Sequence, residues 1–275
     1  MMRRWVLGAF AGATLTALAP SADAQEAQQA LSSESVIETI KQNGVLRVGM
    51  STFVPWAMRD KEGELIGFEI DVASELAKDM GVEIEFVPTA WDGIIPALLA
   101  GKFDVIIGGM TITPERNLTV NFTAPYAHSS LGVMANKELA QGLAWPDDYN
   151  SSDVTFVCRR GATPCTYIEA NFPKATLRQF DDQAQTTQEV MNGNAHVLMG
   201  SQPLPNFMIY DNPDVLISPT DEPIDPGNEA FAVRKGDPDA LNYFSNWILI
   251  KDAWLQERHD YWFGGRPWAD QVAEN

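Results

Sequence analysis

The stretch Phe103–Arg116, FDVIIGGMTITPER, decides the fold. Its first half, FDVIIGG, is a strand-length run, apolar but for Asp104, the pattern of a strand buried on both faces in a parallel sheet. Its second half abandons that pattern. Two glycines, two threonines and Pro114 lead to a cation, Arg116. Open α/β sheets bind ligands at the carboxyl ends of their strands, so the break marks where a site is expected.

The chain on either side repeats the alternation. Upstream, a helical lead VIETIKQNG ends at Gly44, and VLRVGM reads as a strand followed by an aromatic, proline-containing loop, STFVPW. GELIGFEI reads as a pair of extended segments. DVASELAKDMG reads as an amphipathic helix with Asp71 near its start and Gly81 after its end. VEIEFVPT is a strand, and WDGIIPALLAG a short helix closed by Gly101. This order predicts a largely parallel α/β sheet.

After NFTAPYAHSSLGVMANKEL the pattern restarts. DVTFVC, ATLRQF and AHVLMGS read as strands. TPCTYIEANFP, with Thr163 as its cap, and TTQEVMNGN read as helices. From Glu222 the chain returns, with EAFAVRKG as a strand and DPDALNYFSNWILIKDAWLQERHDYWFG as one long helical stretch. We expect two α/β lobes, residues 36–132 with 224–275 and residues 136–221. Connections near 128–138 and 220–230 form a hinge crossed twice, and the cleft lies between the lobes.

The 275 residues are 45% hydrophobic, enough to fill two cores. The net charge of −18 argues against nucleic acid and against anionic membrane surfaces as partners. Residues 1–24 read as an export signal: MMRRW is basic, VLGAFAGATLTALA is a short apolar body, and SADA offers a cleavage site near Ala24. Arg3 and Arg4 leave a twin-arginine signal as an alternative. The remainder has no run of roughly 18 apolar residues, the length of a spanning helix. The expected location is the periplasm, and the expected state a monomer without an integral membrane segment. Cys158 and Cys165 in VCRRGATPC suit one short disulfide in an oxidising compartment, with a pair of free thiols as the alternative. No metal or cofactor is implied, and the hydrolase motifs GxSxG and HExxH are absent.

In combination and order, GVLRVGMSTFVPW, GELIGFEIDVASELA, WDGIIPALLAGKFDVIIGGMTITPER and NFTAPY resemble the periplasmic solute-binding proteins of polar amino acid ABC importers. The resemblance covers roughly residues 38–265. It implies two α/β lobes closing on a small ligand that is handed to an ABC permease. It further implies that Arg116 grips the ligand carboxylate through paired charge-assisted hydrogen bonds, with Thr111 supplying a hydroxyl and Gly109 a close backbone approach. Trp91 aligns with one stacking aromatic, and Phe53 or Trp56 with the aromatic opposite. Arg159 and Thr163 align with ligand-contacting positions in the second lobe.

One departure bears on the ligand. Where amino acid binders of this family carry an aspartate for the α-ammonium, GNAHVLMGSQP has Ser201, with His196 where the motif's own Asp would stand. Met50 and Ser51 also stand where another Asp is common. A serine hydroxyl cannot neutralise an ammonium. Either Glu229 or Asp225 replaces the missing acid, or the ligand is an anion without an ammonium. The ligand is expected to be an amino acid or amino-acid-like. Two other functional readings stand beside the carrier. One is a cyclohexadienyl dehydratase-like enzyme, in which Glu229 or its neighbour Asn228 would hold the key position. The other is an accessory protein of a periplasmic enzyme.

Overall fold

The computed structural model describes residues 35–272. The expected export signal and its cleavage site lie outside these residues. Helix α1 (Val36–Asn43) opens the described chain and ends at Gly44 as anticipated. Strands β1 (Val45–Met50), β4 (Glu83–Pro88) and β5 (Val105–Ile106) pair in parallel. Helices α2 (Phe68–Met80) and α3 (Ile94–Leu99) make the crossovers. A small antiparallel pair, β2 (Met58–Arg59) with β3 (Leu65–Ile66), sits beside them.

The second unit repeats the scheme. Strand β7 (Thr155–Arg159) lies parallel to β8 (Thr176–Phe180) and to β9 (Val197–Ser201). Its helices are α5 (Thr163–Asn171), α6 (Gln183–Met191) and α7 (Leu204–Asp211). The four-residue helix α4 (Pro114–Asn117) follows β5.

The two units share one strand. β6 (Asn121–Asn136) is sixteen residues long. Its first part pairs antiparallel with β11 (Ile224–Val233), and its second part with β9 and with β10 (Leu216–Ile217). Leu131 faces both Ile224 and Ser201, so the exchange of partners is centred there. The path β4-β1-β5-β11-β6-β9-β7-β8 therefore runs unbroken from one lobe to the other. The hydrophobic residues sort with it. Leu46, Phe68, Leu76, Phe231, Phe244, Trp247 and Trp262 form one core. Leu131, Val133, Tyr149, Phe156, Cys158, Ile168 and Val197 form another.

Three sequence expectations change. GFEI is not extended, because α2 already begins at Phe68. The loop before it supplies the carbonyls of Pro55 and Trp56 to the first N–H groups of the helix, those of Phe68 and Glu69. These are donors that a helix cannot satisfy by itself. The long C-terminal helix is two helices, α8 (Pro238–Ile250) and α9 (Asp252–Phe263), broken at Lys251. The break lets both helices dock on α2: Trp247 Nε1 donates to Asp79 at 2.8 Å, Trp262 Nε1 to Asp71 at 2.7 Å, and Lys251 Nζ bonds Glu75 and Asp79. Finally, Thr163 is the first helical residue of α5 and not its cap; Ala162 precedes it with no side-chain bond.

The C-terminal tail holds the lobes together on one flank. Arg266 donates twice to Asp211 of α7, at 2.6 and 2.7 Å, and lies 4.8 Å over Phe207. Trp268, buried with Trp262, meets Phe207 at 6.0 Å. Replacing Asp211 by Asn removes the charge from this clasp. The expected outcome is a larger radius of gyration in small-angle scattering, with an unchanged far-ultraviolet circular dichroism spectrum.

The two cysteines are disulfide-bonded, with a Cα separation of 5.5 Å, and both sulfurs are buried. A loop this short restricts the unfolded chain by roughly 2–3 kcal/mol. The Cys158→Ser/Cys165→Ser double variant is expected to lose about that much stability in urea unfolding.

Candidate functional site

The carboxyl ends of β1, β4, β5 and β7 converge, as an open α/β sheet requires. β5 runs into the Gly108–Thr113 loop and then α4. Thr113 Oγ1 accepts from the Arg116 N–H at 3.1 Å, a helix cap that fixes where the arginine leaves the backbone. The guanidinium donates to the carbonyl of Thr111 at 2.9 Å and, across the cleft, to that of Gly161 at 3.1 Å. Arg116 forms no ion pair among the described residues; Asp104, an acid just before β5, is taken by Arg47 at 2.7 Å. Burial lowers its pKa to about 10, so it stays cationic at neutral pH.

An aromatic cluster faces this loop. Phe53 and Trp56 stack at 4.4 Å with 15° between their planes. Trp91 stands 6.3 Å from Phe53, tilted by 58°. Gly109 is required by the first pair. Its φ of +64° suits glycine, and a Cβ there would come within 2.6 Å of the Trp56 indole. Trp56 is fully buried, with its Nε1 donating to Glu229 at 3.0 Å and its ring edge-on to Phe263 at 4.8 Å. Its observed contacts are therefore those of a support for Phe53.

A side chain of the protein itself packs against both Phe53 and Trp91. Arg159, at the end of β7, places its guanidinium carbon 4.5 Å from the Phe53 ring and 4.6 Å from the Trp91 ring. It is only 5% exposed. One weak bond reaches Ser51 Oγ at 3.4 Å, and among the described residues Nε has no hydrogen-bond partner. Burial, with the Arg116 cation adding to it, lowers its pKa to about 9. Arg160, next along the chain, points outward to Asp181 at 2.8 Å.

The remaining predicted residues border the same region. Thr111 and Thr163 line a cavity of about 210 Å³ together with Ser129, Leu131 and Asp225. Thr111 also pairs with Glu229 on β11. Ser201 ends β9 opposite Leu131 and is half-buried. His196 accepts from the Thr155 N–H at 3.2 Å, a position away from the cleft. Of the two acids considered as replacements, Asp225 lines the cavity, while Glu229 is buried against Trp56.

Sequence reasoning missed the buried acid chain beneath the loop. Tyr126 donates to Glu69 Oε1 at 2.6 Å and accepts from the Gly109 N–H at 3.0 Å. Both residues sat in quoted motifs, Glu69 in GFEID and Tyr126 in NFTAPY, but nothing in their spacing joins them. Burial raises Glu69 well above the usual carboxylate range, and raises Glu229 as well. The folded protein thus holds these protons longer than the unfolded chain. The stability they contribute is full below the ordinary value of 4.5 and is lost as pH rises through the raised folded values. Urea unfolding from about pH 4 to about pH 8 is expected to show this decline flattened in Glu69→Gln and in Glu229→Gln.

Comparison with known proteins gives a consistent result. The family model "Bacterial extracellular solute-binding proteins, family 3" matches residues 46–265. The L-cystine-binding protein TcyJ of Escherichia coli K12 is 28% identical over 234 residues, covering 84% of this chain and 87% of the relative. The cyclohexadienyl dehydratase of Pseudomonas aeruginosa is 25% identical over 235 residues, covering 83% and 86%. Among solved structures, a putative ABC transporter binding component from Wolinella succinogenes, complexed with lysine, has a TM-score of 0.76 and 36% identity, covering 82% of this chain and 99% of that one.

Proposed function

Since the chain belongs to the bacterial extracellular solute-binding proteins of family 3, we propose that it captures a small carboxylate-bearing ligand from the periplasm by lobe closure and delivers it to an ABC permease. The lobes of this reading are residues 36–132 with 224–275, and residues 136–221. The separate hydrophobic cores support that division. The carrier acts as a monomer, after removal of the export signal near Ala24.

The observation that carries the reading is Arg116. Its guanidinium has no acidic partner, is fixed by a capped turn, and reaches both lobes through Thr111 and Gly161. A carboxylate arriving there meets a fork of matching geometry, and Thr111, whose carbonyl holds the guanidinium, lines a cavity together with Thr163. Because the same cation touches both lobes, a ligand bound to it favours the closed state over the open one, the condition for a population shift. Gly109 and Trp91 shape the pocket, and Phe53 is the aromatic facing Trp91. An α-ammonium on the ligand has Asp225 and the Ser201 hydroxyl as neighbours.

We read the chain as non-catalytic. Glu229, the acid reserved for elimination chemistry, is 2% exposed and held by Trp56 Nε1. Phenylpyruvate appearing from prephenate in the presence of the purified protein would overturn this and favour the dehydratase-like alternative.

Arg116→Ala is expected to cost about 2–5 kcal/mol of ligand binding, the range for removing one partner of a buried charge pair. Calorimetry with a panel of amino acids and organic acids measures it. Unchanged affinity in the variant would remove Arg116 from the site.

A further inference from the structure

We infer that the ligand carries a second anionic group, which Arg159 receives where it packs against Phe53 and Trp91. The inference rests on Arg116 as the carboxylate socket and concerns the other end of the ligand.

The aromatic cradle is a place where a cationic or apolar ligand stem would lie. Here it is filled by the chain's own guanidinium, 4.5 and 4.6 Å from the two rings. The rings pack on the guanidinium and leave its rim, buried in the protein, to find acceptors elsewhere. That rim has one long bond to Ser51 and an Nε with no partner. Ring contacts return only part of what it costs to take an ion out of water. The cation is therefore undercompensated in the protein alone. No acid answers it: among the described residues Arg159 forms no ion pair, although the chain has 37 acidic residues against 19 basic ones. Asp182, the acid that acts on it electrostatically, spends a carboxylate oxygen on the Ala184 N–H.

Arg116 repeats the arrangement. Its guanidinium carbon lies 5.8 Å from the same Trp91 ring that Arg159 approaches at 4.6 Å. Two mutually repelling cations beside one indole, Arg159 buried and Arg116 half-buried, make a doubly positive site in a strongly acidic protein. A ligand with acidic groups at both ends relieves the repulsion and supplies acceptors to the orphaned donors. A cationic amino acid meets a third like charge in the cradle. Small diacids, with or without an α-amino group, are the matching chemical class.

The test is calorimetry on the chain lacking residues 1–24. The probes are L-glutamate, L-aspartate, glutarate and succinate, set against L-glutamine, L-arginine and L-lysine. At least one diacid is expected to bind, and L-arginine and L-lysine are expected not to. Arg159→Leu is expected to weaken that diacid by about 30-fold or more and to abolish its advantage over the monoacid. Arg159→Lys keeps the charge and is expected to retain part of that advantage. Thermal melting of each variant confirms that it is folded; should Arg159→Leu not fold, Arg159→Lys against Arg159→Gln carries the comparison. Tight binding of L-arginine or L-lysine by the wild type overturns the inference, as does an unchanged diacid preference in Arg159→Leu. Unchanged diacid affinity in Arg116→Ala instead removes the socket reading on which the inference rests.

Discussion

Everything in this molecule hangs on the backbone hydrogen bonds of one strand. β6 gives its first part to β11 and its second part to β9 and β10, changing partners at Leu131. Buried N–H and C=O groups must be paired somewhere, and a strand this long finds its partners only by belonging to both lobes. The two units are therefore continuous through their sheet rather than tethered by a loop. The irregularities in the β11 pairing, between Ile224 and Gly227 and again around Ala230, fall within the crossing. Bulges raise local twist, so this is where the sheet can change its twist while keeping most of its bonds.

The cleft is a second consequence of the same layout. β5 and β7 end on opposite sides of it, and each delivers an arginine. Beneath the first-lobe side lies a stack of dependencies. Glu69 takes the Tyr126 proton donor, Tyr126 takes the Gly109 N–H, and Gly109 leaves room for Trp56, which supports Phe53 and ties down Glu229. Each member is buried, Gly109 only partly, and each is satisfied by its neighbour, apart from one Glu69 oxygen without a partner among the described residues. The arrangement holds the loop rigid from below while its upper side faces the second lobe.

Much of this was legible in the order of apolar runs and glycines. The order of strand and helix patterns predicted the strands, the two lobes and the double crossing, because burial on both faces leaves near-continuous apolar runs that survive in sequence. The apolar run 103–109 was correctly placed, though only Val105 and Ile106 pair as a strand. What failed was decided by tertiary contact. Phe68–Ile70 alternate like a strand, yet they enter α2 because distant carbonyls cap it. Lys251 breaks a helix whose local pattern continues, because docking on α2 is worth more than continuity. Trp56 and Phe53 were indistinguishable as aromatics in one loop, and only the Glu229 partner separates them. Arg159 was visible as a cation at a helix start, but its packing against the two rings of the other lobe depends on the lobes coming together.

The lobe cores also differ in when they can be completed. The second draws its named residues from Leu131 to Ile224, one continuous stretch. The first needs Leu46 and Phe68 from one end of the chain and Phe231, Phe244, Trp247, Trp262 and Trp268 from the other. Contacts that span most of the sequence form late, because the loop between them must close first. A chain that emerges from its amino end thus carries a half-built first core past a second core that is already whole. Until the last aromatic residues arrive, the exposed faces of β1 and α2 are the part of this protein that a chaperone or a protease would find.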